Sequence, residues 1–381
     1  VLNVPHLRFP EFSGEWEIYP LTDFMSFKNG MNPDAKRFGR GTKFISVMDI
    51  LNNQFICYDN IRASVEVVDG DIETYGVNYG DILFQRSSET LEDVGQANVY
   101  LDSKPAVFGG FVIRGKSKSN YYPMFFRYLL ASPTARKKII VKGAGAQHFN
   151  IGQDGLSKVC LNIPSIQEQE KIAKLFECID TRIATQNKII EDLKKLKSAI
   201  SLKMLHSDSW EQFKIQDIAS IGRGRVISSV EISQQENPLY PVYSSQTSND
   251  GIMGYLDDFM FEGEYISWTT DGANAGTVFY RNGKFNCTNV CGLLKLKKGF
   301  DAHFVSLVLA EATRMYVSTN LANPKLMNNT MGNIQIRLPK LEEQKRISVV
   351  FRKLHGLLET HNSLIIKYSK QKQYLLSQMF I

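Results

Sequence analysis

The feature that most constrains this chain is a stretch of about 40 residues that occurs twice without a gap. Residues 161–172 resemble residues 336–347, and Pro164 corresponds to Pro339, an offset of 339 − 164 = 175 positions. In both copies apolar residues then recur every three or four positions. This spacing predicts a coiled-coil-like helix in each copy, roughly 60 Å long at 1.5 Å per residue.

The apolar positions form one stripe along each predicted helix. If the first helix runs away from one globular segment, the second helix must return, so we expect the two to be antiparallel, with an approximate two-fold axis and facing stripes. Each helix follows a proline, as helix starts often do. The predicted seam residues are Ile172, Phe176, Ile179, Ile183 and Ile190 in the first helix and Ile347, Phe351, Leu354, Leu358 and Ile365 in the second.

A second repeat precedes each helix and marks the start of a globular segment. Trp16 corresponds to Trp210, an offset of 210 − 16 = 194 positions, so the second segment is the shorter one. After each Trp the composition changes to short β-like runs broken by Gly, Asn and Asp, and an apolar helical stretch comes near the end. The predicted strands are residues 43–49, 81–86, 265–268, 277–280 and 292–296, and the predicted helical stretches are 123–139 and 302–317.

The two repeats together predict an α+β fold with a pseudo-two-fold internal repeat. We expect two globular domains separated by two long antiparallel coiled-coil helices. The predicted order is a first domain over residues 1–160, a first spacer helix over 161–206, a second domain over 207–336 and a second spacer helix over 337–381.

Charge and hydropathy limit the partners and the compartment. The net charge of +6 suits a nucleic-acid partner, although many basic proteins bind none. The chain has no run of about 18 apolar residues, which predicts that no segment spans a membrane. Its first residues lack the apolar core of a signal peptide. We therefore expect a cytoplasmic protein.

The cysteines do not indicate a disulfide framework or a metal site. There are 5, an odd number at irregular spacing. Cys287 and Cys291 form a C-x3-C pair, but a zinc site needs two more soft ligands, and His303 is the one candidate nearby. We expect no metal site.

Motifs for catalysis are incomplete. Residues 237–240 (Asn-Pro-Leu-Tyr) lack the second proline of an adenine-methyltransferase turn, and residues 222–224 are a lone G-x-G. Residues 343–345 (Glu-Gln-Lys) resemble part of a nuclease motif, but no Asp stands just upstream, and there is no P-loop. We interpret Glu168 and Glu343, in the first helical turns, as complements to the helix dipole rather than as acid–base groups. We expect no catalysis by this chain alone.

The repeated motifs resemble the DNA-specificity subunits of type I restriction-modification enzymes. That family's signature is a proline, a hydrophobic residue, Glu-Gln, a basic residue and Ile at the start of a helix. Its domains begin with a Trp, and Trp16 and Trp210 resemble that residue. In the second domain, residues 240–246 and 270–276 look like family segments, whereas the first domain has residues 85–88 (Gln-Arg-Ser-Ser) in place of Asp-Gly-Ala-Asn. The signature residues are Pro164, Ile166, Glu168, Gln169, Lys171 and Ile172 in the first copy and Pro339, Leu341, Glu343, Gln344, Arg346 and Ile347 in the second.

The resemblance implies a function for each part. Each globular domain would be a target-recognition domain that reads one half of a bipartite, asymmetric site in double-stranded DNA. The helices would set the spacing and dock two copies of a methyltransferase (modification) subunit, which binds S-adenosylmethionine and methylates adenine. No cofactor is therefore expected in this chain. In enzymes of this class a restriction subunit can join to translocate and cleave DNA.

Candidate DNA contacts are basic and polar residues on predicted loops. Phosphates are contacted by Lys and Arg, and base edges are read by polar side chains. A solvated loop position is the simpler interpretation of any one residue; the clusters favour DNA. The first-domain candidates are Lys36, Arg37, Arg40, Lys43, Arg86, Ser87, Ser88, Lys142, Gln147, His148 and Asn150, beside a Gly-Ala-Gly-Ala run at 143–146 that allows close approach. The second-domain candidates are Arg223, Arg225, Ser244, Ser245, Gln246, Thr247, Thr269, Thr270, Asp271, Asn274, Asn320, Asn323, Lys325 and Asn328.

The sequence is also compatible with two other functions. A protein–protein adaptor without DNA contact would also need two long helices, and salt-dependent DNA binding would separate it from a DNA reader. A monomeric methyltransferase with a degenerate motif would bind S-adenosylmethionine tightly by itself.

Overall fold

The computed structural model describes residues 3–145, 147–318 and 323–381. It divides into two compact units. Unit 1 comprises Val1–Lys188 and Asn362–Ile381, and unit 2 comprises Ile189–His361. Each unit therefore combines one α+β domain with parts of both long helices. The predicted fold class is confirmed.

Unit 1 is made of short strands and helices before the first long helix. Its strands are β1 (Glu17–Pro20), β2 (Met25–Asn29), β3 (Phe38–Ile45), β4 (Ala63–Val65), β5 (Ile82–Gln85), β6 (Ser87–Ser88), β7 (Ala97–Val99), β8 (Val107–Phe108), β9 (Val112–Ser117), β10 (Phe149–Asn150) and β11 (Cys160–Ile163). Its helices are α1 (Val47–Asn52), α2 (Asp71–Tyr75), α3 (Pro123–Ala131), α4 (Pro133–Ile140), α5 (Gln153–Ser157) and the first part of the long helix α6 (Ile166–Met204). Short 3-10 helices span Leu21–Asp23, Ala35–Arg37 and Tyr58–Asn60.

Unit 2 likewise consists of short strands and helices before the second long helix. Its strands are β12 (Glu211–Lys214), β13 (Ala219–Arg223), β14 (Tyr240–Tyr243), β15 (Ile252–Leu256), β16 (Phe261–Glu262), β17 (Tyr265–Thr269), β18 (Val278–Arg281), β19 (Lys284–Cys287), β20 (Cys291–Leu296) and β21 (Gln335–Leu338). Its helices are α7 (Ile215–Ile218), α8 (Ser229–Ser233), α9 (Ala302–Ala312), α10 (Asn328–Asn333), the last part of α6 and the first part of the long helix α11 (Leu341–Gln378), with 3-10 helices at Ser248–Gly251 and Thr313–Met315.

The two larger sheets of each unit have corresponding strand orders, with β16 as an additional strand in unit 2. In unit 1 the strand orders are β2-β9-β5-β7 and β4-β3-β8, and in unit 2 they are β13-β20-β17-β18 and β15-β14-β19-β16. In both units the second sheet contains one parallel pair, β3 with β8 and β14 with β19. The strand after the opening Trp pairs with the strand before the long helix, β1 with β11 and β12 with β21. The internal repeat therefore extends through both globular domains.

Three predicted boundaries were wrong. The predicted strand over residues 43–49 ends at Ile45, because the Asp49 carboxylate accepts hydrogen bonds from the Ser46 N–H and hydroxyl at 2.7 Å and starts α1. The helical stretch over 123–139 is two helices, because Pro133 cannot continue a helix and instead opens the next one. The stretch over 302–317 is α-helical only to Ala312 and then becomes 3-10.

In unit 1 the start of α6 packs against the end of α11. Ile172 and Phe176 share a core with Phe380, and the Phe176 and Phe380 ring centroids lie 5.8 Å apart. Lys372 Nζ pairs with Asp180 Oδ1 at 2.6 Å. Because helix start meets helix end, the two helices are antiparallel in this unit.

In unit 2 the end of α6 packs against the start of α11. Ile347 and Phe351 lie in the domain core together with Leu205, and Ile200 and Met204 pack against the same core. The first seam residues of each helix therefore pack into a globular core as well as against the other long helix. Across the whole predicted seam, Ile172, Phe176, Ile179, Ile190, Ile347, Phe351 and Leu354 are buried, and Ile183, Leu358 and Ile365 are partly buried.

Candidate nucleic-acid interface

In unit 1 the loop before α6 is paired to the segment that follows β5. Strand β6 pairs with β10, which places Ser87 opposite Asn150 and Ser88 opposite Phe149. The Ile151 N–H donates to the Arg86 carbonyl at 2.9 Å. The structure therefore brings two of the predicted clusters of the first domain, 86–88 and 142–150, into one edge.

Most side chains on this edge face solvent. Lys142, Gln147, His148 and Asn150 are exposed, and the Ser87 hydroxyl donates to the Asn150 carboxamide oxygen. Arg86 is half-buried, with Nη1 donating to the Gly110 carbonyl at 3.2 Å. Ser88 is half-buried as well, and its hydroxyl accepts from the Thr90 N–H. Ala146, at the end of the predicted close-approach run, lies outside the described residues.

The basic cluster of the first domain lies on and before β3 and is partly engaged by carboxylates. Arg37 binds the Asp71 carboxylate, and Arg40 Nη2 pairs with Glu66 Oε2 at 2.8 Å. Lys43 Nζ donates to the Ile61 carbonyl at 2.7 Å, and Lys36 is exposed.

These pairings bear on how readily the cations can bind phosphate. A hydrogen bond from the Val68 N–H, together with Arg37, holds the pKa of Asp71 below its usual value, so this carboxylate stays charged. Arg40 and Glu66 are exposed, and such pairs contribute only about 0–1 kcal/mol. Arg40 can therefore exchange its partner for a phosphate at little cost, more easily than Arg37.

An apolar groove that the sequence analysis missed lies between these two clusters. It encloses about 380 Å³ and is lined by Phe38, Phe44, Met48 and Phe111, of which Phe111 is 69% exposed. The Phe111 carbonyl accepts from the Arg86 N–H at 2.9 Å, and Phe38 directly follows Arg37. The sequence signal that could have indicated this groove is Phe111. This aromatic residue follows Gly109 and Gly110 in a loop and belongs to no strand or helix that would bury it.

Unit 2 places its polar loop against the segment that follows β17. The Leu326 N–H donates to the Thr270 carbonyl at 2.8 Å, and the Gly272 N–H donates to the Pro324 carbonyl at 3.0 Å. Asp271 forms an isolated antiparallel bridge with Lys325. Strand β17 occupies the same place in its sheet as β5 does in unit 1, so both units build an edge at the same topological position.

The side chains on this second edge divide into buried and exposed ones. Thr269 and Thr270 are each 1% exposed, and their hydroxyls donate to the carbonyls of Asn274 and Val290. Both threonines are predicted DNA contacts on a loop, yet their buried hydroxyls hold the turn in shape. Asn274 and Asn323 are exposed, Asp271 and Lys325 are half-buried, and Asn320 lies outside the described residues.

Arg223 joins this edge, and Arg225 does not. Arg223 Nε donates to Asn328 Oδ1 at 2.9 Å, which brings two predicted contact residues together. Arg225 instead pairs with Glu231, and this ion pair raises the pKa of the arginine and lowers that of the carboxylate.

The predicted loop over residues 244–247 is a separate, self-contained turn. The Ser244 N–H donates to the Gly251 carbonyl at 3.0 Å, and the Gln246 side-chain amide donates to the Ile252 carbonyl. Ser244, Ser245 and Gln246 are half-buried, whereas Thr247 is exposed. In the described ranges no hydrogen bond links this loop to residues 269–274.

Each long helix is joined to its domain through the glutamine of the repeated signature. In unit 1, Gln169 Oε1 accepts from the Tyr122 N–H just before α3, and its Nε2 donates to the Pro164 carbonyl, both at 3.0 Å. In unit 2, Gln344 accepts from the Asp301 N–H just before α9 at 2.9 Å and donates to the Pro339 carbonyl at 2.8 Å. Sequence reasoning located this glutamine but not its role, which is to join the long helix to the domain helix.

The neighbouring glutamates differ between the units. Glu168 is buried, accepts two hydrogen bonds from Arg8 at 2.8 Å and one from Trp16 Nε1 at 3.3 Å. Its carboxylate therefore has specific partners besides the helix dipole. Glu343, at the same position of the second signature, is exposed.

All five cysteines are free thiols, and Cys287 and Cys291 are buried in an apolar cluster. Within residues 3–145, 147–318 and 323–381, no three His, Cys, Asp or Glu residues are grouped as metal ligands. Over the same ranges, no helix combines the length and the apolarity needed to cross a bilayer.

Comparison with known proteins identifies the class. The model of the type I restriction modification DNA specificity domain matches this chain twice, over residues 13–195 and 207–367. Because the two matches cover well over half of the chain, the protein belongs to this family of type I specificity subunits. The resemblance inferred from the two signatures is confirmed.

Individual relatives and solved structures agree with this assignment. The chain is similar to the putative type I specificity subunit S.MpnORF201P of Mycoplasma pneumoniae, with 35% identity over 59% of this chain and 97% of the relative. It is 41% identical to the type I restriction enzyme MpnII specificity subunit of the same organism, over 45% of this chain and 53% of the relative. The S subunit from M. genitalium has the same fold, with a TM-score of 0.68, 15% identity and 99% of each chain covered.

Proposed function

We propose that each unit reads one half of a bipartite DNA site, the first through the edge at 86–88 and 142–150 and the second through the edge at 269–274 and 323–328. The observation on which this rests is the matched geometry: in both units the polar loop before the long helix pairs with the segment after the equivalent strand. Two domains that share a frame but differ in side chains are suited to reading two different sequences.

The chemistry of the two edges supports recognition of bases rather than of phosphates alone. Gln147 and Asn150 in unit 1 and Asn274 and Asn323 in unit 2 are exposed carboxamides. Such groups can form bidentate hydrogen bonds to adenine, and each good pair contributes about 1–3 kcal/mol of discrimination. Arg40 and Lys142 would bind phosphates and set the register.

We further propose that the long helices set the distance between the half-sites and dock two methyltransferase subunits. The helices repeat at the offset of 175 positions, and a repeated surface offers two equivalent docking sites. S-adenosylmethionine and the catalytic groups would then belong to the partner, and this chain would be non-catalytic. A restriction subunit would join the same complex in the cytoplasm, where the host DNA is.

A half-site binding experiment tests the proposal. The chain is assembled with its methyltransferase partner, and binding to the host's methylated sequence and to half-site-scrambled duplexes is measured. Gln147→Ala with His148→Ala should abolish discrimination of one half only, and Asn274→Ala with Asn323→Ala should abolish discrimination of the other. If either pair affects both halves equally, or neither, the assignment of one edge to one half is wrong.

The chain supplies matched controls at the opposite ends of the same sheets. Lys116 lies near the far end of β9, and Lys298 follows the far end of β20, and both are exposed. Lys116→Gln and Lys298→Gln should leave the discrimination of both half-sites unchanged. An adaptor that holds two proteins without contacting DNA would show no salt-dependent DNA binding in any of these variants.

A further inference from the structure

The start of α11 in unit 2 borders an open cleft. It encloses about 1160 Å³, and its walls include Trp210, Phe213, Phe300, Glu343 and Arg346. Glu343 and Arg346 are exposed, and Trp210 is half-buried. In the part of the chain that the structure describes, none of these three side chains forms a hydrogen bond or an ion pair. We call this surface the Trp210 cleft.

Unit 1 shows what occupies the equivalent position there. Glu168 matches Glu343, and Lys171 matches Arg346, at the offset of 175 positions. The N-terminal segment covers both: Arg8 forms its two hydrogen bonds of 2.8 Å to Glu168.

The same segment also satisfies Lys171. Its ammonium group lies 4.8 Å from the centroid of the Phe9 ring and pairs with the Glu11 carboxylate. Trp16, the counterpart of Trp210, is 1% exposed beneath this covering.

Unit 2 has no segment of its own for this role. Residues 202–205 are the end of α6 and the residue after it, and at the offset of 175 positions they correspond to residues 377–380 at the end of α11, not to the segment that contains Arg8. Leu205 is buried in the core of unit 2, as its counterpart Phe380 is in the core of unit 1. The chain passes directly from the helix to Trp210 and leaves the carboxylate, the cation and the indole open.

We propose that the Trp210 cleft binds an extended segment of another protein that carries an arginine, an aromatic residue and a carboxylate in the order of Arg8, Phe9 and Glu11. The arginine would pair with Glu343 in the bidentate geometry that favours guanidinium over ammonium. The carboxylate would pair with Arg346, and the aromatic ring would pack between Arg346 and the Trp210 and Phe300 rings. This site does not depend on DNA recognition.

A labelled peptide tests the proposal. The probe is residues 3–14 of this chain as a fluorescent peptide, titrated into the full chain while polarisation is recorded. Glu343→Gln should weaken binding at least about tenfold, because it removes a charged partner of a bidentate pair. The matched control Glu342→Gln changes the adjacent exposed glutamate, which does not line the cleft, and should bind as the unchanged chain does. Equal affinities for the two variants overturn the proposal.

A second measurement locates the peptide. The probe with a benzophenone in place of its ring at Phe12 is photo-crosslinked, and the labelled positions are mapped by mass spectrometry. Labels at Trp210, Phe300 or Lys340 support the proposal. Labels confined to Glu15 or Lys171 would mean that the peptide replaces the chain's own segment in unit 1, and they overturn it. Self-association of the chain that Glu343→Gln and Arg8→Gln both abolish would identify a second copy as the occupant, and this too overturns the assignment to another protein.

Discussion

The two helix starts are joined to their domains in the same way and are covered differently. Gln169 and Gln344 form equivalent buried hydrogen bonds, yet the adjacent Glu168 is enclosed by Arg8 and Trp16 while Glu343 is open to solvent. The contacts that join domain to helix are therefore repeated, and those that cover the helix start are specific to one unit.

The two candidate DNA edges show the same separation of frame and side chains. Backbone pairing places a polar loop beside the strand end in both units. The exposed groups then differ: Gln147 and His148 in the first, Asn274 and Asn323 in the second. Main-chain hydrogen bonds can maintain an edge without dictating its side chains, so two domains of one fold can carry different side chains at the same place.

The largest loss of stability is expected for two phenylalanines near the starts of the long helices, and it tests whether both helix starts are part of a domain core. Phe176 and Phe351 occupy equivalent positions and are 0% and 2% exposed. Phe176→Ala and Phe351→Ala should each lower the free energy of unfolding by about 3–5 kcal/mol. Chemical denaturation gives the size, and hydrogen exchange should show that each variant loosens its own unit first.

The control for this pair is Leu196→Ala, on the same helix but 47% exposed. It should change stability by less than about 0.5 kcal/mol. If Phe351→Ala behaves like this control while Phe176→Ala does not, the two helix starts are not equivalent.

The next largest loss of stability is expected when the glutamine that joins each long helix to its domain is replaced. Gln169→Leu leaves the Tyr122 N–H and the Pro164 carbonyl without their partner, and Gln344→Leu does the same to Asp301 and Pro339. Each buried group left unpaired costs roughly 1–3 kcal/mol. The two variants should lose similar stability in denaturant titrations; a loss in only one of them would show that the link is not a common feature.

A smaller difference in stability should distinguish the covered helix start of unit 1 from the open one of unit 2. Glu168→Gln weakens a hydrogen-bonded ion pair with Arg8 and should cost about 1.5–3 kcal/mol. Glu343→Gln changes an exposed side chain and should stay within about 0.5 kcal/mol of the unchanged protein. Both are measured in the same denaturant series, and equal losses would remove the contrast between the covered and the open helix start.

The smallest stability effect concerns the surface arginines. Arg40→Gln and Arg225→Gln each remove one surface ion pair and should cost under about 1 kcal/mol. If Arg40 binds a phosphate in the complex, its variant should also lower the slope of log affinity against log salt by about one. Arg225 lies away from the second edge, so its variant should keep the full slope.

The long-range order of this fold could be predicted because it is encoded in long, regular patterns. The helices have 39 and 38 residues, close to the predicted length, because apolar residues at every third or fourth position, repeated without a gap in a second copy, specify a helix over the whole stretch. The matching sheets were not visible in the sequence. Their strands have two to eight residues, for example β8 (Val107–Phe108) and β3 (Phe38–Ile45), and such short runs do not specify a partner or a register.

The candidate site was predictable as a set of loops but not as a set of exposed groups. Thr270 has the right chemistry for base reading, yet its hydroxyl is used by Val290, 20 positions away. Arg40 is engaged by Glu66, 26 positions away. Contacts over such separations depend on how strands are paired, and no local pattern reports that.

Unit 1 contains residues from the first half of the sequence and from its last twenty positions. The Leu7 N–H donates to the Gln378 carbonyl at 3.0 Å, so residues far apart in the gene are neighbours in space. A circularly permuted gene, opened between His206 and Ser207 and joined by a short linker between residue 381 and residue 3, would keep every core contact described above. Such a permutant would encode the second domain first, which makes the order of the domains along the gene a free choice for an engineer.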